Sequence, residues 1–131
     1  MALADRNKNV YCLISDGECT EGSVWESFRI ADDLKVNNLK IILNANGWGA
    51  YSKISLKPLI IRIKSFDMAL CVIDGHNISQ VVDALKKKRQ DKPLVIFAKT
   101  IVEQFPFLQG QDAHYYVMSD EDYLAAVKLL K

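Results

Sequence analysis

Val10-Tyr11-Cys12-Leu13-Ile14, halting at Ser15-Asp16-Gly17, is the stretch on which the reading of the fold turns. Five apolar residues in a row, with no polar residue at every second place, describe a strand covered on both faces. The Asp-Gly pair that follows marks a tight turn at its end. The same signature returns three times. Leu39 to Leu43 closes in Asn44-Ala45-Asn46-Gly47-Trp48-Gly49, Ala69 to Ile73 closes in Asp74-Gly75-His76, and Leu94 to Ala98 follows Pro93.

Helical patterns lie between these strands. Val24, Phe28, Ile30, Ala31 and Leu34 form an inward stripe over Ser23 to Leu34. Pro58 suits the first turn of a helix running to Phe66. Val81, Val82 and Leu85 give an apolar side to a helix from Ser79 to Arg89. Ile101 to Met118 has no clear period. Ser119 with Asp122 then resembles a capping box and opens a last helix through Leu124, Val127 and Leu130. Alternating buried strands and helices predict a three-layer α/β/α domain with a mainly parallel sheet, one unit over residues 1–131.

Composition narrows the function classes. Half of the residues are apolar and a quarter charged, as in a packed globular domain. Seventeen basic residues against sixteen acidic give a net charge of +1, which argues against a nucleic-acid partner. The basic run Lys86-Lys87-Lys88-Arg89 reads as the solvated end of a helix. No apolar run is long enough to cross a bilayer, and the N-terminus has no secretory pattern, so no membrane partner is expected. Cys12, Cys19 and Cys71 are odd in number and form no CxxC pair. Cys12 and Cys71 sit in apolar runs and read as buried small residues, and a reducing, cytoplasmic location is expected.

In a parallel α/β sheet, ligands sit beyond the C-terminal ends of the strands. Asp16-Gly17, Asn44 to Trp48 and Asp74 to His76 all fall there. Asp16 and Asn46 offer one carboxylate and one amide oxygen from neighbouring strand ends, a suitable start for a hard divalent cation. Gly47 would let the Trp48 carbonyl turn inward as a third ligand, and Gly17 would let backbone N–H groups approach a phosphate. From spacing alone the signal is weak, since Asp-Gly turns after strands occur in many α/β proteins.

The motifs taken together say more. Ser15-Asp16-Gly17-Glu18, Glu21-Gly22-Ser23-Val24-Trp25-Glu26, Asn37-Asn38-Leu39 and Asn44-Ala45-Asn46 resemble the thiamine diphosphate signature of transketolases, above all the N-terminal subunits of split transketolases. Asp74-Gly75-His76, Asp91-Lys92-Pro93 and Ala98-Lys99-Thr100 extend the similarity, which is close over residues 2–100 and looser beyond. The resemblance implies the thiamine diphosphate-binding fold, here incomplete. It implies thiamine diphosphate with Mg2+ (or Ca2+) as cofactors. Asp16, Asn46 and the Trp48 carbonyl would hold the metal, and Gly17 would lie against the diphosphate. Among catalytic positions, Glu21 and Glu26 would belong to the acidic network joining two active sites across a dimer, and His114 would stand near the diphosphate and the sugar. His76 reads as structural, bonding its own turn. The activity implied is transfer of a two-carbon ketol unit between sugar phosphates. The partner implied is a second copy or a subunit carrying the pyrimidine-binding domain.

Departures from the family pattern matter. Ser15 replaces the first glycine, which would crowd the turn at positive φ or simply add a hydroxyl otherwise. Asn44 stands where an aspartate is common. Ile101 to Phe107 brings bulk and a proline where the family runs into a glycine-rich loop. Ala2-Leu3-Ala4-Asp5 is similar to the end of a helix that follows a long earlier stretch in relatives, which carries substrate-binding histidines. A non-catalytic remnant of the same fold is therefore the main alternative, with another thiamine diphosphate-dependent 2-oxoacid enzyme behind it. An unrelated nucleotide-binding domain is disfavoured, since neither a P-loop nor a dinucleotide fingerprint follows any strand.

Overall fold

The computed structural model describes residues 1–87 and 91–130. Four strands, β1 (Val10–Ser15), β2 (Leu39–Ala45), β3 (Ala69–Asp74) and β4 (Leu94–Lys99), form one sheet. Its order is β1-β2-β4-β3, and every neighbouring pair is parallel. The helices are α1 (Gly22–Asp33), α2 (Leu56–Lys64), α3 (Ile78–Lys86) and α4 (Asp120–Leu129).

The layers follow from which side chains are apolar. Phe28 and Ala31 of α1 and Leu59 and Ile63 of α2 pack with Ile41, Leu43, Val95 and Phe97 in the larger core. Trp25, Phe28 and Phe66 add an aromatic cluster at its rim, with centroids 5.8 to 6.3 Å apart. Ala84 of α3, with Val81 and Leu85 beside it, packs against Ile73, Ile96 and Ala98 on the opposite face. The two central strands β2 and β4 are thus covered on both sides, which is why they read as unbroken apolar runs.

Most element boundaries match the expected ones to within two residues. The second helix begins at Leu56 rather than Pro58, because Ser55 is extended and the proline occupies the third helical position, where its missing N–H costs nothing. The capping box at the last helix forms: Ser119 Oγ accepts from Asp122 N–H at 3.2 Å, and Asp122 Oδ2 accepts from Ser119 N–H at 3.0 Å. The third helix ends at Lys86 rather than running to Arg89, because Lys87, at ψ 131°, leaves the helical conformation; the Lys88-Arg89 part of the basic run lies outside the described residues.

Two expectations about cysteines need correction. Cys12 is exposed and Cys71 only half-buried, while Cys19 alone is buried. Both misread residues sit on edge strands, β1 and β3, where apolar character does not bring full cover. All three thiols are unpaired. Among the described residues, no helix is long and apolar enough to cross a membrane.

Candidate cofactor-binding site

The C-terminal ends of β1, β2 and β4 converge at one edge. After β1 the chain makes a single 3-10 turn, Glu18–Thr20, before entering α1. Ser15 is not at positive φ, so it adds a hydroxyl without crowding the turn. That hydroxyl donates to Glu18 Oε2 at 3.0 Å, and Ser15 N–H donates to the same oxygen at 2.8 Å. Glu18 therefore locks the turn that carries Asp16 and Gly17.

Asp16 is fully buried. Its Oδ2 accepts from Gly47 N–H at 2.6 Å, tying the end of β1 to the loop after β2. Its Oδ1 is buried with no hydrogen-bond partner. Burial raises the Asp16 carboxyl above its ordinary range; the N–H of Gly47 opposes this, as do, more weakly, the backbone around Gly17 and Asp16 and the charge of His114. A buried carboxylate with one idle oxygen is the kind of group that a cation would stabilise.

The loop beyond β2 is a short hairpin. Gly47, at φ 83°, makes the reversal that a residue with a Cβ would resist. Ile54 N–H returns to Gly47 O at 2.8 Å, Gly49 N–H bonds Ser52 O at 2.8 Å, and Trp48 bridges Lys53. Asn46 Oδ1 accepts from Trp48 N–H at 2.8 Å, an Asx turn that leaves its second lone pair free. Gly17 lies directly beneath this hairpin. A Cβ built on it would stand 3.1 Å from Gly49 Cα and 3.7 Å from the Trp48 carbonyl oxygen. The Asp16-Gly17 turn, Asn46 and the Trp48 carbonyl thus meet in one place.

Two clefts open over this edge. One, of about 340 Å³, is lined by Ser15, Gly17, Glu21, Asn46, Trp48 and His114 among others. The other, of about 360 Å³, is lined by Asn44, Asn46, His76, Thr100 and His114. His114 ends the 3-10 turn Gly110–His114, which is held by packing of Gly110 against the Trp48 ring and by Gln111 Nε2 donating to Ala50 O at 2.8 Å. Of the residues expected at the site, Gly17, Glu21, Asn46, Trp48 and His114 line one cleft, while Asp16 is tied to the same hairpin through Gly47 but borders a different cleft. Glu26 lies apart on the exposed side of α1, paired with Arg29 at 2.7 Å. His76 does not bond its own turn through its ring: Nε2 accepts from Ile101 N–H at 3.1 Å, and only its backbone N–H turns back, to Asp74 Oδ1 at 2.9 Å.

The family profile described as "Transketolase, thiamine diphosphate binding domain" matches residues 3–129. The chain belongs to the transketolase family. Human transketolase is 35% identical over 95 residues, covering 70% of this chain and 15% of that enzyme. A transketolase family protein of Sinorhizobium fredii is 29% identical over 143 aligned positions, covering 99% of this chain and 51% of that protein. Among solved structures, Campylobacter jejuni transketolase superposes with a TM-score of 0.64 at 28% identity, covering 71% of this chain and 15% of that one. The chain therefore spans about half of the first relative's length and a small part of the full-length transketolases.

As a thiamine diphosphate-binding domain of the transketolase family, the chain can be tested for fit to that cofactor and its metal. The residues fit. The idle Asp16 oxygen, the Asn46 amide oxygen and the Trp48 carbonyl are donors of the kind a hard cation takes, and the hairpin packs on Gly17 so closely that a side chain there would crowd Gly49. Among the described residues there is no cluster of three or more His, Cys, Asp or Glu that could hold a metal ion. Burial, with the charges of Asp16 and Glu18, pushes the Cys19 thiol up to about 12, which disfavours its thiolate.

Several features had no signal in the sequence. Thr100 Oγ donates to Asn44 Oδ1 at 2.6 Å, so the asparagine that replaces the usual aspartate pins the end of β4. Lys53 and Arg62 border a further cleft that also touches Asp16. Neither residue belongs to a motif, and only the folding of the hairpin against α2 brings them there.

Proposed function

We propose that this chain is the metal- and diphosphate-holding part of a transketolase-type enzyme that transfers a two-carbon ketol unit between sugar phosphates. The observation that carries the reading is Asp16: wholly buried, one oxygen engaged by Gly47 and the other idle, at the strand-end edge where Gly17, Asn46 and the Trp48 carbonyl meet. Asp16, Asn46 and Trp48 would hold Mg2+ (or Ca2+), and the cation would hold the diphosphate. When bound, thiamine diphosphate supplies the electron sink for breaking and making the carbon–carbon bond. This chain's own work is to orient the diphosphate end, keep water from the buried carboxylate, and present His114 and Glu21 along the cleft walls. The pyrimidine end and the sugar pocket fall to a partner, either a subunit with the pyrimidine-binding domain or a second copy, in a cytoplasmic assembly.

A second reading, a non-catalytic remnant, has one specific observation in its favour. Phe105, Phe107 and Tyr116 stack at 5.6 and 5.5 Å where the family's glycine-rich loop would run. Calorimetry with thiamine diphosphate, with and without magnesium, on the chain alone and mixed with candidate partner subunits, separates the two. Magnesium-dependent binding with ketol transfer in a mixture supports the enzyme. Binding without transfer in any mixture supports the remnant, and an absence of binding throughout sinks the anchor reading and leaves the remnant.

A further inference from the structure

β1 is an edge strand, and among the described residues no strand lies beyond it. Proteins usually guard such an edge with a charge, a proline or a bulge. β1 has none of these: Val10 to Ser15 is uncharged, free of proline and pairs with β2 without a break in register. The opposite edge, β3, ends in Asp74 and has the Lys87 ammonium 3.1 Å from the Cys71 sulfur. β1 also lacks cover. Tyr11 is 50% and Leu13 71% exposed, on the face turned away from α1. Cys12, exposed as well, stands on the α1 face, where with Ile14, Val24 and Phe28 it lines an apolar cleft of about 210 Å³.

Backbone directions fix how another strand would join. Val10 N–H donates to Asn38 O at 2.8 Å and Asp16 N–H to Asn44 O at 3.0 Å, so the even-numbered residues bond toward β2. Tyr11, Leu13 and Ser15 therefore turn their backbone groups to the open edge. The Ser15 N–H is already engaged by Glu18. An antiparallel copy of the same strand matches the two residues that remain: with Tyr11 of one opposite Leu13 of the other, each such pair exchanges both N–H···O bonds. A shift of register in either direction would set an outward residue against the engaged Ser15 or against Asn9, before the strand. Charge favours the same order. Lys8, in a loose exposed pair with Asp5 at 3.4 Å, lies before the strand, and the exposed Glu18 lies after it. Antiparallel docking brings the basic start of one strand beside the acidic end of the other. We infer that two copies of this chain pair through β1, antiparallel about a two-fold axis at Cys12, into one continuous sheet. Tyr11 and Leu13 of both copies then form one apolar patch, and Val10 and Cys12 of each cover the mouth of the other's cleft. The pairing joins the sides of the two sheets and leaves the strand-end edge of each, with Asp16 and Asn46, open.

A six-residue strand makes a small specific interface, so the dimer should dissociate at roughly 10 µM. Sedimentation velocity on the full reduced chain, over roughly 1–100 µM, should show the monomer–dimer shift. Leu13→Lys should raise the dissociation constant at least about tenfold, while Val72→Lys on the opposite edge should leave it within about twofold. Melting temperatures show whether these exposed substitutions leave the fold intact. In this register the two Cys12 residues form a non-hydrogen-bonded pair with Cα atoms about 4.5 Å apart, within disulfide range. Diamide, which takes up the two electrons and two protons that the thiols lose, should link the copies there. Cys12→Ser should abolish the covalent dimer and keep the reversible one, and Cys71→Ser should keep both. A chain that stays monomeric throughout, a dimer untouched by Leu13→Lys or equally weakened by Val72→Lys, or a dimer that diamide does not link through Cys12 overturns the inference. Slow hydrogen exchange of the Tyr11 and Leu13 amides that appears only when a partner subunit is added overturns it too, since the edge then belongs to the partner's strand.

Discussion

Gly17→Ala separates what the turn after β1 does for stability from what it does for binding. Gly17 has φ −61° and ψ −42°, an ordinary helical conformation, so alanine fits the backbone there. On that ground alone the substitution should stabilise the chain by about 0.4–1 kcal/mol, through a less disordered unfolded state. The new Cβ would stand 3.1 Å from Gly49 Cα, against ordinary contact from 3.4 Å, so the hairpin must yield by about 0.3 Å. Overpacking of this kind costs about 1 kcal/mol where a loop can move aside. The two effects nearly cancel, and net stability should change by less than about 1 kcal/mol. Binding should not be spared, because the part that yields carries the Trp48 carbonyl, and a small hard cation tolerates little distortion of its oxygen shell. Magnesium-dependent binding of pyrophosphate should fall roughly tenfold or more. Urea titrations and calorimetry on the same preparations give both numbers. A loss of more than about 2 kcal/mol in stability, or unchanged affinity, would refute the reasoning about the hairpin.

Asp16→Asn should reveal the cost of the buried charge through pH. The folded Asp16 carboxyl titrates above its unfolded value, so its favourable contribution is present in acid and is lost as pH rises through the folded pKa. In metal-free chain, Asp16→Asn should therefore gain on the parent in urea midpoint between acid and neutral pH; a difference that stays flat would contradict the burial argument. With magnesium and pyrophosphate the order should reverse, because the cation needs the carboxylate ionised. Gly75→Ala places a Cβ 2.6 Å from Thr100 Cγ2 and 3.0 Å from Lys99 O, and should cost about 2 kcal/mol. Adding Thr100→Ser removes the clashing methyl while keeping the hydroxyl bound to Asn44, and should recover part of that loss in denaturant titrations. Ser119→Ala removes half of the capping box and should cost about 1 kcal/mol, seen as faster hydrogen exchange in the first turn of α4.

How much of this could be read from the sequence depends on how local the cause is. The four strands were legible as unbroken apolar runs, which burial on both faces explains for the central β2 and β4, whereas the edge strands β1 and β3 carry the same apolar pattern with Tyr11, Leu13 and Val72 exposed. The Ser119–Asp122 box was legible because both partners lie within one turn. The sheet order was not legible, and with it went the exposure of Cys12, since an edge strand and a central strand can carry the same residues. Residues 101–118 showed no period because they form an irregular path, pinned by Gly110 against Trp48 and by Gln111 to Ala50, contacts between distant parts of the chain. At the site, Asp16, Gly17 and Asn46 stood out by motif. The Thr100–Asn44 bond and the cationic wall of Lys53 and Arg62 arise only when separate loops meet.

The most direct measurement is a crystal structure of the chain grown with manganese and pyrophosphate, using anomalous scattering to locate the ion. The account predicts one ion within about 2.6 Å of Asp16 Oδ1, the Asn46 side-chain oxygen and the Trp48 carbonyl oxygen. An ion bound elsewhere, or an Asp16 oxygen left idle at saturating metal, would contradict it.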